Sequence, residues 1–298
     1  MAEFSAAIIG AGPAGLAAAL TLSRALQPTI VFDSPRSPRN SASPGFGGLL
    51  GRELASAKDL HAIGREEIDR YGFVRFHAGD AVQVEGNPNH GFTIVASDGM
   101  TATAGCILLA CGMVDLFPEI RRLADFWGTS VINCPFCHGF ELRERPWGVV
   151  VNRAEMLEVA EIYLQWTDDL ILFVEAGLNV PPGREAKLAS KGVRIDRRGI
   201  RRLLGDGSEL HAVGMEDGAV IERQALVLWP FQSQTGLIKA MGVPLNDAGC
   251  VIVDDGFRTQ SPGIYAAGDL IYSGHQNVNT AIHMGSMAAS AMVLDLPT

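Results

Sequence analysis

The sequence predicts an α/β protein of two domains, one inserted into the other. Three observations lead there. A strand–turn–helix–strand pattern opens the chain, a second one begins near residue 147, and a closing strand–turn–helix after residue 262 returns to the style of the first. The length of 298 residues suits about two domains.

The elements follow in order. Residues 4–9 (FSAAII) read as a short buried strand, and a glycine-rich turn occupies 10–15. Residues 16–26 are rich in Ala and Leu and read as a helix, which Pro28 ends. Residues 29–32 form a second strand that ends at Asp33, completing a βαβ unit. Residues 34–51 carry Pro, Ser and Gly and read as a loop, and a helix is expected over 52–71. Short strands are expected at 73–77, 80–85, 92–97 and 101–104, with Asp98-Gly99 as a turn signal. A further buried strand over 106–110 is closed by Cys111-Gly112.

The pattern then restarts, with a strand at 147–151, a helix over 154–166 and a strand at 169–174. Strands near 193–196, 209–215 and 225–229 follow. The chain closes with a strand at 263–267, a Gly268-Asp269 turn and an Ala- and Met-rich helix over 277–294. The expected division is residues 1–114 and 238–298 for the first domain and 115–237 for the insert, with crossings near 113–116 and 236–245.

Hydrophobic residues make up 47% of the chain, enough for packed cores without disulfide staples. The net charge is −9, and the densest basic cluster, at 194–202, is too short to mark a nucleic-acid face and reads as solvated surface. No apolar run reaches the length of ~18 residues that spans a membrane. The start lacks a basic region followed by an apolar core and a cleavage site, so a soluble, cytoplasmic protein is expected. Five cysteines, an odd count, argue against a secreted disulfide framework. In the cytosol a close cysteine pair is more often catalytic or metal-binding than structural.

Three motifs carry chemistry. In the turn Gly10-Ala11-Gly12-Pro13-Ala14-Gly15, Gly10 permits a tight bend, Gly12 lets backbone approach a pyrophosphate, and Gly15 lets the helix pack on the strand. The helix start presents free N–H groups to phosphate charge. Asp33, at the end of the second strand, is placed to accept hydrogen bonds from a ribose. Strand, glycines, helix, strand and acid in this order indicate dinucleotide binding. The second motif, Gly263-Ile264-Tyr265-Ala266-Ala267-Gly268-Asp269, puts a carboxylate at the carboxyl edge of a sheet, where open α/β folds bind ligands; alone it also reads as an ordinary strand end.

The third motif is Cys134-Pro135-Phe136-Cys137-His138-Gly139. Two residues between cysteines allow an internal disulfide when the first lies near a helix start, which also lowers its thiol pKa. His138 follows, with an ordinary pKa near ~6.5 that suits proton transfer at neutral pH. A zinc site is one alternative, although no second CxxC or CxxH is present and no metal is expected. A merely buried pair is the other. Cys106, Cys111 and Cys250 read as structural.

In this order the three motifs resemble the low-molecular-weight thioredoxin reductases over essentially the whole chain. The resemblance implies a two-dinucleotide-binding-domain flavoprotein: a Rossmann-like FAD domain interrupted by a nicotinamide-type domain that carries the cysteines. CPFCHG at 134–139 and FDSPRSPRN at 32–40 are closer still to the dithiol oxidases that close disulfides in gliotoxin-, holomycin- and romidepsin-type products. Reductases have Asp after the second cysteine, where this chain has His138.

By this resemblance Cys137 is the sulfur on the flavin side, Cys134 is the outer sulfur that meets substrate, and His138 is the general acid/base. Candidate FAD contacts are Gly10, Gly12, Pro13, Ala14, Gly15, Asp33, Ser34, Asn40, Val82, Gly112, Gly268, Asp269, Gln276, Asn277 and Val278. Cys111-Gly112 stands where the family has Ala-Thr-Gly. Alignment from the last helix sets Asn277, rather than Gln276, at the family's pyrimidine-edge position. His283 stands where the reductases have Gly and reads as a helix histidine or a second acid/base group. A homodimer is implied.

The insert lacks the marks of a nicotinamide site. After the strand at 147–151 come Asn152-Arg153-Ala154-Glu155, with no glycine to admit a pyrophosphate. After the next strand comes Glu175-Ala176-Gly177 in place of a basic stretch for a 2′-phosphate. Flavin and dithiol without a nicotinamide site point to outward electron flow: a small dithiol, or a protein thiol, is oxidised and molecular oxygen is the acceptor. The alternatives are a reductase fed by a protein donor such as ferredoxin, an atypical NADPH-linked thioredoxin reductase, and a flavin/thiol redox sensor. Phe136, Phe140, Trp127 and Trp147 line either a substrate pocket or the core.

Overall fold

The computed structural model describes residues 2–39, 41–272 and 274–296. The chain forms two compact units, one from residues 1–39, 57–115 and 232–298 and the other from residues 40–56 and 116–231. The chain changes unit at 39/40, 56/57, 115/116 and 231/232. Residues 40–56, which the sequence assigns to the first domain, pack with the second unit.

The first unit begins with β1 (Phe4–Ile9), α1 (Pro13–Arg24) and β2 (Thr29–Asp33). Then come α2 (Ala57–Asp69), β3 (Val74–Ala78), β4 (Ala81–Asn87), β5 (Gly91–Ala96), β6 (Thr101–Leu109) and β7 (Val114–Leu116). The helix expected over 52–71 starts only at Ala57. Leu54 takes a left-handed conformation (φ 58°) and Ala55 bridges to Phe46, so the chain cannot wind into α2 before that point. The strands expected at 101–104 and 106–110 are one element. The first part of β6 pairs antiparallel with β5, and its remainder pairs parallel with β1.

The second unit contains α3 (Leu123–Phe126), β8 (Val131–Ile132), α4 (Pro135–His138), β9 (Trp147–Val151) and α5 (Ala154–Val159). After α5 the chain tightens into a 3₁₀ segment, Ala160–Gln165. This takes the place of the second half of the helix expected over 154–166, and it buries Ala160 and Tyr163 beneath Trp147. Next come β10 (Leu170–Val174), α6 (Pro182–Ser190), β11 (Arg194–Asp196), β12 (Ile200–Asp206), β13 (Glu209–Met215), β14 (Val220–Glu222) and β15 (Ala225–Leu228). Strand β16 (Phe231–Ser233) carries the return crossing and pairs with β7. The first unit is completed by α7 (Gly236–Met241), β17 (Ile264–Ala266), a 3₁₀ turn at Asp269–Ile271 and α8 (Val278–Asp295).

The first unit's sheet has the order β3-β2-β1-β6-β5-β4, with β17 also on β6. Its two faces follow the alternation of the strands. Ala6, Ile8, Val31 and Leu108 face the core shared with α1 and α8, while Ala7, Ile9, Ile30, Phe32 and Leu109 enter the opposite core. Helices α1 and α8 touch at backbone distance, because a Cβ on Gly285 would collide with the Ala14 carbonyl. The second unit's sheet is parallel, in the order β11-β10-β9-β15-β8. One face packs on α5, the 3₁₀ segment and α6 through Met156, Leu157, Tyr163 and Leu188. The other packs on the antiparallel sheet β12-β13-β14 through Leu203, Leu210 and Val213. The basic cluster at 194–202 is surface, and Arg194, Arg197 and Arg198 are each paired with a carboxylate.

Candidate functional sites

In the first unit the parallel strands β1, β6 and β17 end at one edge, and the motif turns follow them there. Gly10 has φ +107°, and a Cβ on it would lie 2.5 Å from the Ala110 carbonyl oxygen, so the turns after β1 and β6 touch through backbone. A Cβ on Gly15 would collide with the Gly10 carbonyl, which sets α1 against its own turn. Gly268 (φ +88°) brings the turn after β17 to Ala14, where a Cβ would lie 3.1 Å from that of Ala14. Gly12 differs from all of these: nothing lies within 4 Å of its Cβ position. Helix α1 begins there, with Pro13 in its first turn and no side-chain cap. Open space before an uncapped twelve-residue helix fits a dinucleotide pyrophosphate.

The other candidates divide. Asp269 follows Gly268 at this edge, and Gly112 (φ +64°) lies just past β6. Gln276 and Asn277 do different work. Asn277 caps α8, its Oδ1 accepting from the Thr280 N–H at 2.8 Å, and Val278 is the first helical residue. Gln276 joins the polar cluster around Asp269 instead: its amide donates to the Asp269 carbonyl at 3.3 Å and to Gln232 Oε1 at 3.0 Å. Asp33 is held by His61 Nε2 at 2.8 Å, with Arg65 at 3.7 Å. Ser34 Oγ accepts from the Arg36 N–H at 3.2 Å, and Asp80, whose carboxyl Ser34 and Arg36 help to hold low against burial, pairs with Arg36. Val82 is exposed, where the register between β4 and β5 shifts. His283 is exposed on α8. Asn40 lies outside the described residues.

Sequence reasoning missed Arg39, one position from Asn40. Its guanidinium donates to Asp115 at 2.7 Å, Asp269 at 3.2 Å and Gln276 Oε1 at 2.7 Å. Burial pushes the Asp269 carboxyl up, and Arg39 opposes that. Only the fold brings these residues together, since positions 39, 115, 269 and 276 show no spacing pattern. Arg39→Leu strands two carboxylates and is expected to cost about 3 kcal/mol at neutral pH. Asp269, raised in the fold, is destabilised there as the pH rises, so the loss should shrink as the pH falls and Asp269 protonates. Urea melts at pH 7 and pH 4.5 measure both.

In the second unit, β8 ends two residues before Cys134, at the carboxyl edge of the parallel sheet. Cys134 and Cys137 form a disulfide with Cα atoms 5.4 Å apart. Cys134 is the N-cap of α4, a single turn, and its carbonyl accepts from the Cys137 and His138 N–H groups at 3.3 Å each. Cys134 is buried and Cys137 partly exposed. Segment 41–56 reaches this turn: the Gly47 N–H donates to the Cys137 carbonyl at 2.9 Å, and Ser43 Oγ lies 2.9 Å from His138 Nε2. Burial pulls the His138 pKa down, while the Gly45 carbonyl, Glu141 and the Cys134 backbone work against it.

The four aromatics around the motif separate. Trp147 is core and stacks on Trp166 at 6.0 Å. Phe136 is exposed and meets the Trp166 edge at 5.5 Å, Phe140 is exposed, and Trp127 packs on Phe117. The other cysteines suit structural roles. Cys106 is buried and its thiol is pushed up to about 12, Cys250 is buried, and Cys111 lies 3.6 Å from the Thr235 hydroxyl. Among the described residues no group of three His, Cys, Asp or Glu is placed to hold a metal ion.

The turn after β9 is occupied by side chains. Asn152 and Arg153 both donate to the Trp229 carbonyl, at 2.9 and 2.8 Å, and the Arg153 guanidinium stacks over Phe231 at 4.3 Å. Glu175, just past β10, is exposed.

A dinucleotide turn in one Rossmann-type unit and a redox-capable CxxC in another define an FAD-dependent thiol–disulfide oxidoreductase of thioredoxin reductase type. The chain belongs to the pyridine nucleotide-disulphide oxidoreductase family, whose pattern matches residues 4–285. It is 30% identical over 315 residues to the thioredoxin reductase tcpT of Claviceps purpurea, covering 98% of this chain and 95% of that one. It is 25% identical to the thioredoxin reductase of Helicobacter pylori, covering 96% and 97%. Among solved structures, the putative thioredoxin reductase TrxB of Bacillus anthracis superimposes with a TM-score of 0.91 at 29% identity, over 98% of both chains. Among the described residues no helix is long and apolar enough to cross a membrane.

Proposed function

We propose that this chain is a dithiol oxidase that closes a disulfide in a small-molecule dithiol, with molecular oxygen as final acceptor. The observation that carries the reading is the turn after β9. Where a second glycine turn would admit a nicotinamide dinucleotide, Asn152 and Arg153 are tied to the Trp229 carbonyl. Glu175 adds a negative charge after β10, where a 2′-phosphate would be repelled. Resemblance of CPFCHG to the dithiol oxidases points the same way.

Bound FAD supplies a two-electron acceptor that oxygen regenerates, with release of hydrogen peroxide. The residues of this chain do the sulfur chemistry. A substrate thiolate attacks Cys134 Sγ, the Cys134–Cys137 bond breaks, and Cys137 leaves as a thiolate. His138 takes the proton of the second substrate thiol. That thiolate attacks the substrate sulfur of the mixed disulfide and releases Cys134. The substrate has then lost two electrons and two protons, and the cysteine pair holds the electrons. In the observed arrangement Cys137 is the more exposed of the two. The assignment of outer and inner sulfur therefore rests on the resemblance. So does the homodimer, which sedimentation tests; the cytoplasmic location is a reading of the sequence, which cell fractionation tests.

A histidine whose pKa is lowered in the fold stays a base at lower pH than usual. The rate of flavin bleaching by dithiol under anaerobic conditions should therefore fall on the acid side only below the ordinary value of about 6.5. The linked stability has the matching sign: it is present above about 6.5 and declines as the pH drops toward the folded pKa. His138→Asn should remove the acid limb, which a stopped-flow pH series reads.

The reading is tested in an oxygen electrode with the yellow holoprotein. Oxygen uptake with small dithiols, and none with NADPH alone, is expected. Anaerobic bleaching of the flavin by NADPH would establish a reductase instead, in line with the names of the relatives. Bleaching only with reduced ferredoxin would establish a protein donor, and no turnover with any dithiol would leave a sensor.

A further inference from the structure

The two ring nitrogens of His138 have unlike surroundings. Nε2 lies 2.9 Å from Ser43 Oγ and 3.1 Å from the Gly45 carbonyl oxygen. The Ser43 hydroxyl donates to that same carbonyl at 2.6 Å, and the Gly45 N–H points back at Ser43 Oγ at 3.4 Å. Ser43 is buried. The hydrogens of this cluster can be assigned. A carbonyl oxygen only accepts, so Nε2 carries a hydrogen when it bonds Gly45. The single hydroxyl hydrogen of Ser43 goes to Gly45, which leaves its oxygen as an acceptor for Nε2–H. In the neutral ring the lone pair is then on Nδ1. Nδ1 is buried and has no hydrogen-bond partner among the described residues.

We propose that Ser43 is a positioning residue that holds His138 as the Nε2–H tautomer, so that Nδ1 is the nitrogen that exchanges protons with thiols at the Cys134–Cys137 pair. The inference deepens the proposed function and rests on His138 being its acid/base group. In the step it serves, a thiol S–H bond breaks, the proton goes to Nδ1, and the thiolate left behind attacks a disulfide sulfur. The imidazolium so formed still donates from Nε2 to Ser43 and Gly45, so no hydrogen bond is rearranged as the proton moves. Burial disfavours the charged ring, while the Gly45 carbonyl, Glu141 and the Cys134 backbone favour it. Glu141 is the charged side chain, among the described residues, that acts on the ring. The residue type at 43 thus tunes the proton affinity of His138 without touching substrate.

Nitrogen-15 imidazole spectra of the holoprotein test this directly, with His138 assigned by its loss in His138→Asn. The wild type is expected to show a protonated Nε2 and an unprotonated Nδ1 at pH 8. Ser43→Ala should give a mixed tautomer signal and shift the acid limb of dithiol-driven flavin reduction. It should also lower kcat about tenfold at unchanged KM, a loss typical of a displaced acid/base group. Ser43→Thr, which keeps the hydroxyl, should restore all three readouts. A wild-type ring protonated on Nδ1, or Ser43→Ala with unaltered spectra and pH profile, overturns the inference. The parent reading fails separately, if His138→Asn leaves the acid limb in place while the tautomer is as expected.

Discussion

Cys137→Ser is expected to abolish bleaching of the flavin by dithiols, slowing it by at least about 10³-fold, as removal of a group that takes part in the bond changes does. The reason is chemical. A serine hydroxyl forms no disulfide, so the reduced pair cannot pass on two electrons as a unit. Cys134→Ser is expected to differ in kind. It also stops turnover, but it leaves a lone thiolate at 137 and should add long-wavelength absorption to the flavin spectrum. Anaerobic titration with dithiothreitol, followed by absorbance, distinguishes the two. If the new band appears in Cys137→Ser instead, the inner and outer roles are exchanged. The greater exposure of Cys137 makes that comparison informative.

Gly12→Val is expected to yield a folded, colourless protein. Its backbone, at φ −68° and ψ −178°, accepts any residue, and its Cβ position is open. The side chain therefore disturbs no packing and fills the space in front of α1. Weakening of FAD by about 100-fold, or about 2.7 kcal/mol, is expected, with little change in the melting of the apoprotein. Gly15→Ala is the control. Its Cβ meets the Gly10 carbonyl, so it should destabilise the apoprotein by about 1–3 kcal/mol as well as weaken flavin. Fluorescence titration of FAD and urea melts of both apoproteins measure this. A Gly12→Val protein that keeps its flavin would show that the pyrophosphate is held elsewhere.

Much of the framework was legible from periodicity and turn chemistry. The strands at 4–9, 29–33 and 147–151 are short, nearly continuous apolar runs bounded by Gly, Pro or Asp, the pattern of parallel strands buried on both faces. Where the reading slipped, tertiary contacts decided. The end of the helix after Ala154 tightens to 3₁₀ because Tyr163 and Trp166 pack on Trp147. The loop at 34–51 looked like part of the first domain because it follows β2, yet beyond residue 39 it packs with the second unit and supplies Ser43 and Gly45 to His138. Strand β12 went unseen because its arginines mask the alternation, with only Leu203 fully buried.

The sequence by itself determined the two Rossmann-type units, the glycine turn, the cysteine pair and the absence of glycine from residues 152–155. Each of these is a local demand on a few consecutive residues, on bend, close approach or sulfur spacing, and such demands can be read one segment at a time. Only the tertiary structure decided which groups surround them. Arg39 joins Asp115, Asp269 and Gln276, Arg153 reaches the carbonyl of Trp229, and Ser43 meets a histidine ninety-five positions away. A long polar side chain finds its partner through space rather than along the chain, and burial makes that partner matter by removing water as the alternative.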